Sequence, residues 1–175
     1  VDINPDTAAA VAGGEIHIVE PGLENVVRNA VLKGDLSAST EVSPADIYLI
    51  AVPTPFVGNH VPDLSHVAAA INAIAPGLKK GDLVILESTL PVGATEQMAE
   101  VLAAKRPDLS FPQQKGDDSD VRVAYCPERV IPGSVLRELV ENDRVIGGIS
   151  PKSSEAGVAL YKCSVTGECV ITDTR

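Results

Sequence analysis

Aromatic residues are scarce in this chain of 175 residues, which has two Phe, three Tyr and no Trp. A hydrophobic core must therefore be aliphatic, and apolar residues still make up 45% of the sequence. Strands rich in Val, Ile and Leu, covered by Ala-rich helices, are the arrangement that this composition favours. The length favours one well-buried domain rather than two.

Basic residues are also few. The chain has 14 Lys and Arg against 24 Asp and Glu, a formal net charge of −10. Proteins that bind nucleic acids non-specifically need a basic face, so we expect no nucleic-acid partner. A phosphorylated small molecule stays compatible with this charge, because backbone amides and helix N-termini hold phosphates without net positive charge.

Cysteine pairs and long apolar runs are missing as well. Cys126, Cys163 and Cys169 form no CxxC motif and have no histidine at ligand spacing, so we expect no metal site. An odd cysteine count favours a reducing compartment over a disulfide framework. No apolar run reaches the length of a membrane span and no signal peptide is visible, so we expect a cytoplasmic protein without a membrane partner.

Short apolar runs alternate with helix-like stretches along the chain. The runs are nearly continuous, which is typical of strands buried on both faces. The alternation predicts an α/β fold whose mostly parallel sheet carries helices on both faces. The predicted strands are 46–52, 82–88, 121–126, 144–148 and 168–174, and the predicted helices are 5–13, 21–33, 64–78, 93–107 and 150–162. The polar stretch 112–120 is predicted to be an exposed, mobile loop.

The strand ends carry the candidate site residues, because ligands of open parallel sheets bind beyond the carboxyl ends of the strands. In "AVPTPF" two prolines bracket Thr54 and restrict the backbone, so its hydroxyl is held in a fixed place. Thr54 either faces a ligand or caps a stiff turn. The segment by itself slightly favours the turn.

The next strand end, "ESTLPVGATE", places Ser88 and Thr89 at the same edge. A helix follows, and its N-terminus directs partial positive charge and free amides toward that edge. Thr95 in the first turn is either a cap or a ligand contact, and Glu96 is a candidate partner of the helix dipole. Thr89 precedes the turn, where a cap is less needed, so a ligand contact is favoured for it.

The third strand end, "AYCPERVIPG", places Glu128 beside Arg129 on a loop bounded by prolines. Glu128 can act as an acid or base or position a water molecule, and Arg129 suits phosphate or carboxylate groups. The alternative is a surface ion pair of little consequence, and we favour function. Cys126 has no identifiable base nearby, so we expect a core thiol rather than a nucleophile.

At the start of the chain, "VDIN" has the pattern of a strand end that leads into a helix. Many nucleotide-binding folds hold a ribose with a carboxylate at this place. Asp2 is therefore either a ribose ligand or an ordinary surface acid.

The succession "VDIN", "GEIHIVEPGL", "LIAVPTPF", "ILESTLPVGATE", "AYCPERVIPG" and "RVIGG" resembles the UDP-glucose/GDP-mannose dehydrogenase family over essentially the whole chain. Within that family, "CPERVIPG" and "RPDLSFPQQ" most resemble the members that act on UDP-N-acetyl-D-mannosamine. The resemblance implies a Rossmann-like NAD-binding domain over residues 1–175. It also implies a UDP-sugar substrate, oxidised with two NAD+ to UDP-N-acetyl-D-mannosaminuronate for surface polysaccharide biosynthesis.

The resemblance also implies roles for individual residues on the cofactor side. Asp2 matches the acid that binds the adenosine ribose of NAD. This match favours the interpretation of Asp2 as a ribose ligand over that of an ordinary surface acid. Thr54, Thr89 and Thr95 match contacts of the cofactor.

On the substrate side, Thr89 and Glu128 match a pair that positions water or proton transfers near the reacting carbon. Arg129 and Val130 match substrate contacts. Pro132 stands where members that oxidise UDP-glucose typically have a second Glu, which counts against UDP-glucose.

Several parts of the family pattern are not in this sequence. The glycine-rich turn expected about 20 residues before the ribose acid has no room ahead of Asp2. The nucleophilic cysteine, the active-site lysine and asparagine, and the helix that pairs subunits are expected after Arg175. We therefore expect this chain to be a fragment that is truncated at both ends, lacks the first βα unit and is inactive alone. We expect the complete protein to form a homodimer or a larger assembly.

Three alternatives stay open. One is a non-catalytic truncated binding module. The second is another nucleotide-sugar 6-dehydrogenase, acting on UDP-glucose or UDP-N-acetylglucosamine. The third is a dehydrogenase of the 6-phosphogluconate type.

Overall fold

The computed structural model describes residues 1–174, which group into two compact units. The helical unit comprises Val1–Ser43 and Arg129–Glu141, and the sheet unit comprises Pro44–Glu128 and the chain from Asn142 onward. The assignment of residues 1–175 to a single NAD-binding domain stays a prediction.

The helical unit contains helices α1 (Pro5–Ala12), α2 (Leu23–Lys33) and α6 (Val135–Glu141). The Asn4 side chain caps α1 by accepting the N–H of Asp6 at 2.9 Å. The prediction of a strand end at residues 1–3 is wrong, since no strand is assigned before Asn4 among the described residues. The carboxylate of Asp2 instead accepts the N–H of Asn4 at 2.8 Å, which turns the chain toward the helix.

Within the described residues, the sheet unit has a five-stranded sheet in the order β1-β4-β5-β6-β7. Three of the four strand pairs are parallel, and the β5–β6 pair is antiparallel. The strands are β1 (Ile47–Ile50), β4 (Leu83–Leu86), β5 (Arg122–Tyr125), β6 (Arg144–Gly148) and β7 (Cys169–Thr172), and β2 (Phe56–Val57) and β3 (Val61–Pro62) form a separate antiparallel pair. The predicted mostly parallel sheet is confirmed.

Burial of the central strands explains their continuous apolar sequence. All four residues of β4 are buried, and helix α7 (Pro151–Tyr161) packs against this strand. Leu83 and Ile85 pack in a cluster with Tyr161, while the alternating residues point to the other face. Burial of an Ile or Leu side chain contributes roughly 1.5–3 kcal/mol, so this strand holds much of the core energy.

Among the described residues, three of the four helices of the sheet unit lie close to their predicted places, and the helix at Pro112–Lys115 is not predicted from the sequence. The four helices are α3 (Ser65–Ile74), α4 (Ala94–Lys105), α5 (Pro112–Lys115) and α7 (Pro151–Tyr161), with short 3-10 turns at Ala75–Gly77 and Gly116–Asp118. In the part of the chain that the structure describes, no helix is long and apolar enough to cross a membrane.

The expected loop over residues 112–120 is wrong, because α5 and a 3-10 turn occupy it. Phe111 at its start is fully buried. The Asp120 carboxylate accepts both the N–H and the hydroxyl of Ser110, at 2.9 and 2.8 Å. These bonds from side chain to backbone hold a polar segment in a regular conformation that its composition does not indicate.

The two glycines at the end of β6 are required by close backbone approach. A Cβ at Gly147 would clash with the carbonyl oxygen of Asp173, and one at Gly148 would clash with the amide nitrogen of Ser154. The sequence "RVIGG" is therefore a packing requirement between β6, the chain after β7 and α7.

Candidate active site

The segments that follow β1, β4 and β5 meet at one edge of the sheet, because these three strands run parallel. The N–H groups of Glu87 and Ser88 donate to the Ile50 carbonyl, at 2.9 and 3.2 Å. The N–H of Glu128 donates to the Glu87 carbonyl at 3.3 Å. The chain segments that carry Thr54, Thr89 and Glu128 are thus placed side by side, as the sequence predicts.

The "VPTP" segment is tied to the neighbouring strand end by Ser88. Its hydroxyl accepts the N–H of Val52 at 2.8 Å and donates to the Val52 carbonyl at 2.7 Å. Ser88 is buried, and Thr54 is half-buried two residues beyond the clamped position. The Ser88 hydroxyl therefore fixes the backbone at Val52, two residues before Thr54. The sequence alone does not reveal this role of Ser88.

Thr89 and Thr95 occupy different environments beside the start of α4. Thr89 is exposed, whereas Thr95 is only 2% exposed in the first helical turn. The N-cap of α4 is Gly93, which has a φ of 87° and no side chain to cap with. The cap alternative for Thr95 is therefore wrong. Glu96 lies in the first turn as predicted and accepts a hydrogen bond from the hydroxyl of Thr174 at 2.6 Å.

A cavity of about 230 Å³ lies beside this first turn. Thr95, Tyr125, Pro127 and Thr172 contribute to its walls. The Tyr125 hydroxyl accepts the N–H of Leu90 at 3.3 Å, which holds one wall in place. Sites for whole drug-sized ligands measure about 300–1,000 Å³, so this cavity suits one group of a larger ligand.

Glu128 is held by an arginine that the sequence analysis did not select. Arg144 Nη1 lies 2.5 Å from Glu128 Oε2, and the arginine is only 5% exposed. Glu128 follows the end of β5 and Arg144 begins β6, the antiparallel neighbour of β5, so both residues lie at the same end of this strand pair. Burial works to lower the pKa of Arg144, but the hydrogen bond and the charge of Glu128 outweigh it and raise that pKa.

Tyr161 of α7 supports the arginine from below. The Arg144 guanidinium carbon lies 5.4 Å from the centroid of its ring, within the range of a cation–π contact. The Tyr161 hydroxyl donates to Glu87 Oε1 at 2.5 Å. Burial, together with this bond, raises the pKa of Tyr161, so the phenol stays protonated and acts as a donor.

Cys126 lies beside this network as a buried thiol. It is 0% exposed and belongs to the cluster between the sheet and α7. Burial raises the pKa of its thiol, which disfavours the nucleophilic thiolate. The predicted core role of Cys126 is confirmed.

The other predicted site residues belong to the helical unit. Asp2 is exposed, with its carboxylate oriented by the N–H of Asn4. Arg129 is exposed and Val130 is half-buried where the second segment of this unit begins.

Comparisons with known proteins identify the family of this chain. Residues 1–165 match the family model described as UDP-glucose/GDP-mannose dehydrogenase family, NAD binding domain. The chain is 62% identical to an NDP-N-acetyl-D-galactosaminuronic acid dehydrogenase from Ralstonia nicotianae and 61% identical to a UDP-N-acetyl-D-mannosamine dehydrogenase from Salmonella typhi. Both alignments cover all of this chain, and 41% and 42% of those proteins. The chain therefore spans about two fifths of the length of these relatives.

A solved structure shows the same fold. The native structure of the UDP-N-acetyl-mannosamine dehydrogenase from Staphylococcus aureus superposes with a TM-score of 0.92 at 37% identity, covering 100% of this chain and 41% of that one. The Rossmann-like fold inferred from the resemblance is confirmed, and NAD is the cofactor named by the matching family model. The chain belongs to the UDP-glucose/GDP-mannose dehydrogenase family.

Proposed function

We propose that a full-length protein carrying this chain oxidises UDP-N-acetyl-D-mannosamine to UDP-N-acetyl-D-mannosaminuronate. The primary alcohol at C6, one water and two NAD+ give the carboxylate, two NADH and three protons. The observation that carries the proposal is Glu128, a carboxylate held by Arg144 at the strand edge where the Thr89 segment lies. The product is a building block for a surface polysaccharide.

The residues present fit NAD as the cofactor. Thr54 and Thr89 follow neighbouring parallel strands, and Thr95 lines a cavity sized for one group of a larger ligand. We assign these three hydroxyls to the cofactor and Asp2 to its adenosine ribose, because an exposed, oriented carboxylate can accept two hydroxyl hydrogens. NAD+, when bound, takes up the hydride that the substrate carbon releases.

Glu128 and Thr89 are the proposed catalytic residues of this chain. Arg144 donates a hydrogen bond to Oε2 of Glu128, and a carboxylate has further lone pairs with which to accept hydrogen bonds from a ligand or a water molecule. Thr89 offers an exposed hydroxyl on the adjacent segment. Together they can hold a water molecule or accept the proton of an alcohol near the reacting carbon.

Arg129 and Val130 are the proposed substrate contacts. The guanidinium of Arg129 is exposed and suits the diphosphate of a nucleotide-sugar. Val130 offers apolar surface beside it.

A second substrate is supported by the Ralstonia nicotianae relative, whose name gives N-acetyl-D-galactosaminuronic acid. Its identity of 62% is as high as that of the mannosamine dehydrogenase from Salmonella typhi. An N-acetyl-D-galactosamine nucleotide is therefore the alternative, ahead of UDP-glucose.

The experiment is a substrate comparison with the full-length protein. NADH formation is followed by absorbance with UDP-N-acetyl-D-mannosamine, UDP-N-acetyl-D-galactosamine and UDP-glucose, and the products are identified by mass spectrometry. We expect two NADH per UDP-N-acetyl-D-mannosaminuronate formed, and no turnover of UDP-glucose. Exclusive oxidation of the galactosamine nucleotide would establish the alternative, and oxidation of UDP-glucose alone would refute both.

A site variant tests Glu128 in the same assay. Glu128→Gln is expected to lower kcat by about 10²–10⁴-fold, the range for loss of an acid–base group. Glu100→Gln on the exposed face of α4 is the matched control and should keep full activity. Equal activity of both variants would contradict the proposed role of Glu128.

We further propose a cytoplasmic homodimer or larger assembly without nucleic-acid or membrane partners. The formal charge of −10 disfavours anionic surfaces, and three free cysteines suit a reducing compartment. The assembly is what the resemblance to the family implies. Light scattering of the full-length protein tests the assembly, and a monomer would contradict it.

A further inference from the structure

Glu20 is a buried carboxylate in an exposed stretch of the helical unit. His17, Ile18 and Val19 before it are exposed, whereas Glu20 is only 8% exposed. Its Oε1 accepts the N–H of Gly133 at 2.5 Å and its Oε2 accepts the N–H of Val135 at 3.4 Å. One carboxylate therefore binds two backbone N–H groups that lie more than a hundred residues later in the chain.

These amides lie where α6 begins. The first N–H groups of a helix have no partner within the helix, and carboxylates stabilise them by hydrogen bonding and by charge. Gly133 has a φ of +92°, a conformation that glycine adopts readily, so the turn before α6 depends on this residue. Glu20, which is distant in sequence, thus holds the backbone at the end of the turn that precedes α6.

The same turn is held from its other side. The N–H of Ile131 donates to Oε2 of Glu138 at 2.8 Å. This bond links the turn to α6, the helix that follows it. With Glu20 at Gly133, the backbone that immediately follows Arg129 and Val130 is fixed at two points by two carboxylates. The conformation of the predicted substrate segment is therefore set by residues outside it.

We infer that Glu20 is a positioning residue for residues 129–134 and determines affinity for the nucleotide-sugar. This inference rests on the proposed function, in which Arg129 and Val130 contact the substrate. We assign Glu20 no contact of its own with substrate or cofactor, since its carboxylate acts through the amides of Gly133 and Val135. Its loss should weaken sugar-nucleotide binding and leave NAD binding unaffected.

The first test measures the held backbone directly, by amide hydrogen exchange followed by NMR in the full-length protein. Glu20→Gln keeps the shape of the side chain but replaces one acceptor oxygen by a donor. We expect exchange at Gly133 and Val135 to become about tenfold faster or more, since hydrogen bonds to charged groups are the stronger ones. Glu20→Asp, which keeps the charge, should restore part of the protection. Unchanged exchange at both amides would overturn the inference.

The second test separates positioning from general stabilisation. In Glu20→Gln, KM for UDP-N-acetyl-D-mannosamine should rise by about tenfold, with kcat and KM for NAD+ within about twofold of wild type. Glu24→Gln is the matched control, since Glu24 is exposed on α2 and pairs only with Arg28 among the ion pairs of the described residues. Equal rises in both KM values, or a lower Tm with unchanged KM, would assign Glu20 a purely structural role and overturn the inference.

Failure of the proposed function gives a different result. If the wild-type protein oxidises no N-acetylhexosamine nucleotide, that function fails while the exchange measurement still decides whether Glu20 holds the segment. Calorimetric titration of UDP-N-acetyl-D-mannosamine then tests its effect on affinity without turnover. Equal dissociation constants for wild type and Glu20→Gln would overturn the inference in that case too.

Discussion

Arg144, the first residue of β6, forms an ion pair with Glu128 just after β5, with Arg144 Nη1 2.5 Å from Glu128 Oε2. The arginine is almost wholly buried, whereas the glutamate side chain retains 30% exposure. A buried guanidinium thus anchors a carboxylate that still reaches the edge of the sheet. The pair combines a fixed position with accessibility, which a residue that handles a water molecule or a proton requires.

The ion pair predicts a measurable coupling in the chain. Glu128→Gln should destabilise the chain because it removes the carboxylate beside the buried Arg144 guanidinium, and Arg144→Met should destabilise it because it removes the hydrogen bond to the partly exposed Glu128. The double variant should lose less than the sum of both, with a coupling of about 1–3 kcal/mol. Urea unfolding of the four proteins measures this cycle. The exposed pair Glu24–Arg28 is the control, expected at about 0.2–0.5 kcal/mol, and an equally small value for the buried pair would contradict the prediction.

Tyr161→Phe tests the support below Arg144. The ring under the guanidinium is kept, but the hydroxyl that donates to Glu87 at 2.5 Å is lost. A hydrogen bond to a charged group contributes about 1.5–3 kcal/mol, so the free energy of unfolding should fall by that amount. Tyr125→Phe is the matched control, because its hydroxyl only accepts a neutral amide at 3.3 Å and should cost about 0.5–1.5 kcal/mol. Equal losses in the two variants, measured by urea unfolding, would refute the charged bond.

Ser88→Ala should weaken NAD binding through Thr54. The two bonds of the Ser88 hydroxyl to Val52 are lost, leaving backbone groups without a partner at a cost of about 1–3 kcal/mol. KM for NAD+ should rise severalfold in the full-length protein, while KM for the sugar nucleotide stays unchanged. Ser110→Ala also removes a serine hydroxyl that makes two hydrogen bonds, in this case with Asp120, and serves as the control. It should lower stability but leave KM for NAD+ unchanged, so a similar rise in both variants would contradict the positioning of Thr54 by Ser88.

Acid should destabilise the sheet unit partly through Asp120. Hydrogen bonds from Lys80 and from Ser110 lower the pKa of Asp120 to about 2. A carboxyl whose pKa is lower when folded stabilises the fold above its unfolded pKa of about 3.9, and this contribution is lost as the pH falls from there toward 2. In Asp120→Asn the free energy of unfolding should therefore depend less steeply on pH over that window.

Urea unfolding between about pH 2 and pH 5, the window of carboxyl titration, measures this dependence. Lys80→Met removes the ion-pair partner and should flatten the curve in part. Glu100→Gln, an exposed carboxylate on α4, should keep the wild-type slope. If the free energy of unfolding of Asp120→Asn depends on pH as steeply as that of the wild type, Asp120 is excluded as a source of acid sensitivity.

The sequence alone determined the α/β class and the approximate place of most elements of the sheet unit. Aliphatic runs such as "LVIL" need burial on both faces, and the amphipathic stretches between them supply the cover, so local pattern and global fold agree. Strand-end chemistry also led to Thr89 and Glu128, because parallel strands bring their carboxyl ends to one edge. The composition of residues 112–120 does not predict their helical turns, because the bonds of Asp120 with Ser110 that hold this stretch depend on a residue outside it.

Only the tertiary structure decided which side chains hold those residues. Arg144 opens the apolar run "RVIGG", and nothing in that run indicates the ion pair with Glu128 that the antiparallel pairing of β5 and β6 makes possible. Ser88 and Glu20 likewise act on backbone 36 and 113 residues away in the chain. Local propensity contains no information on contacts between distant segments. The sequence therefore determines which groups are available at the sheet edge, and strand direction and packing determine which of them are fixed in place.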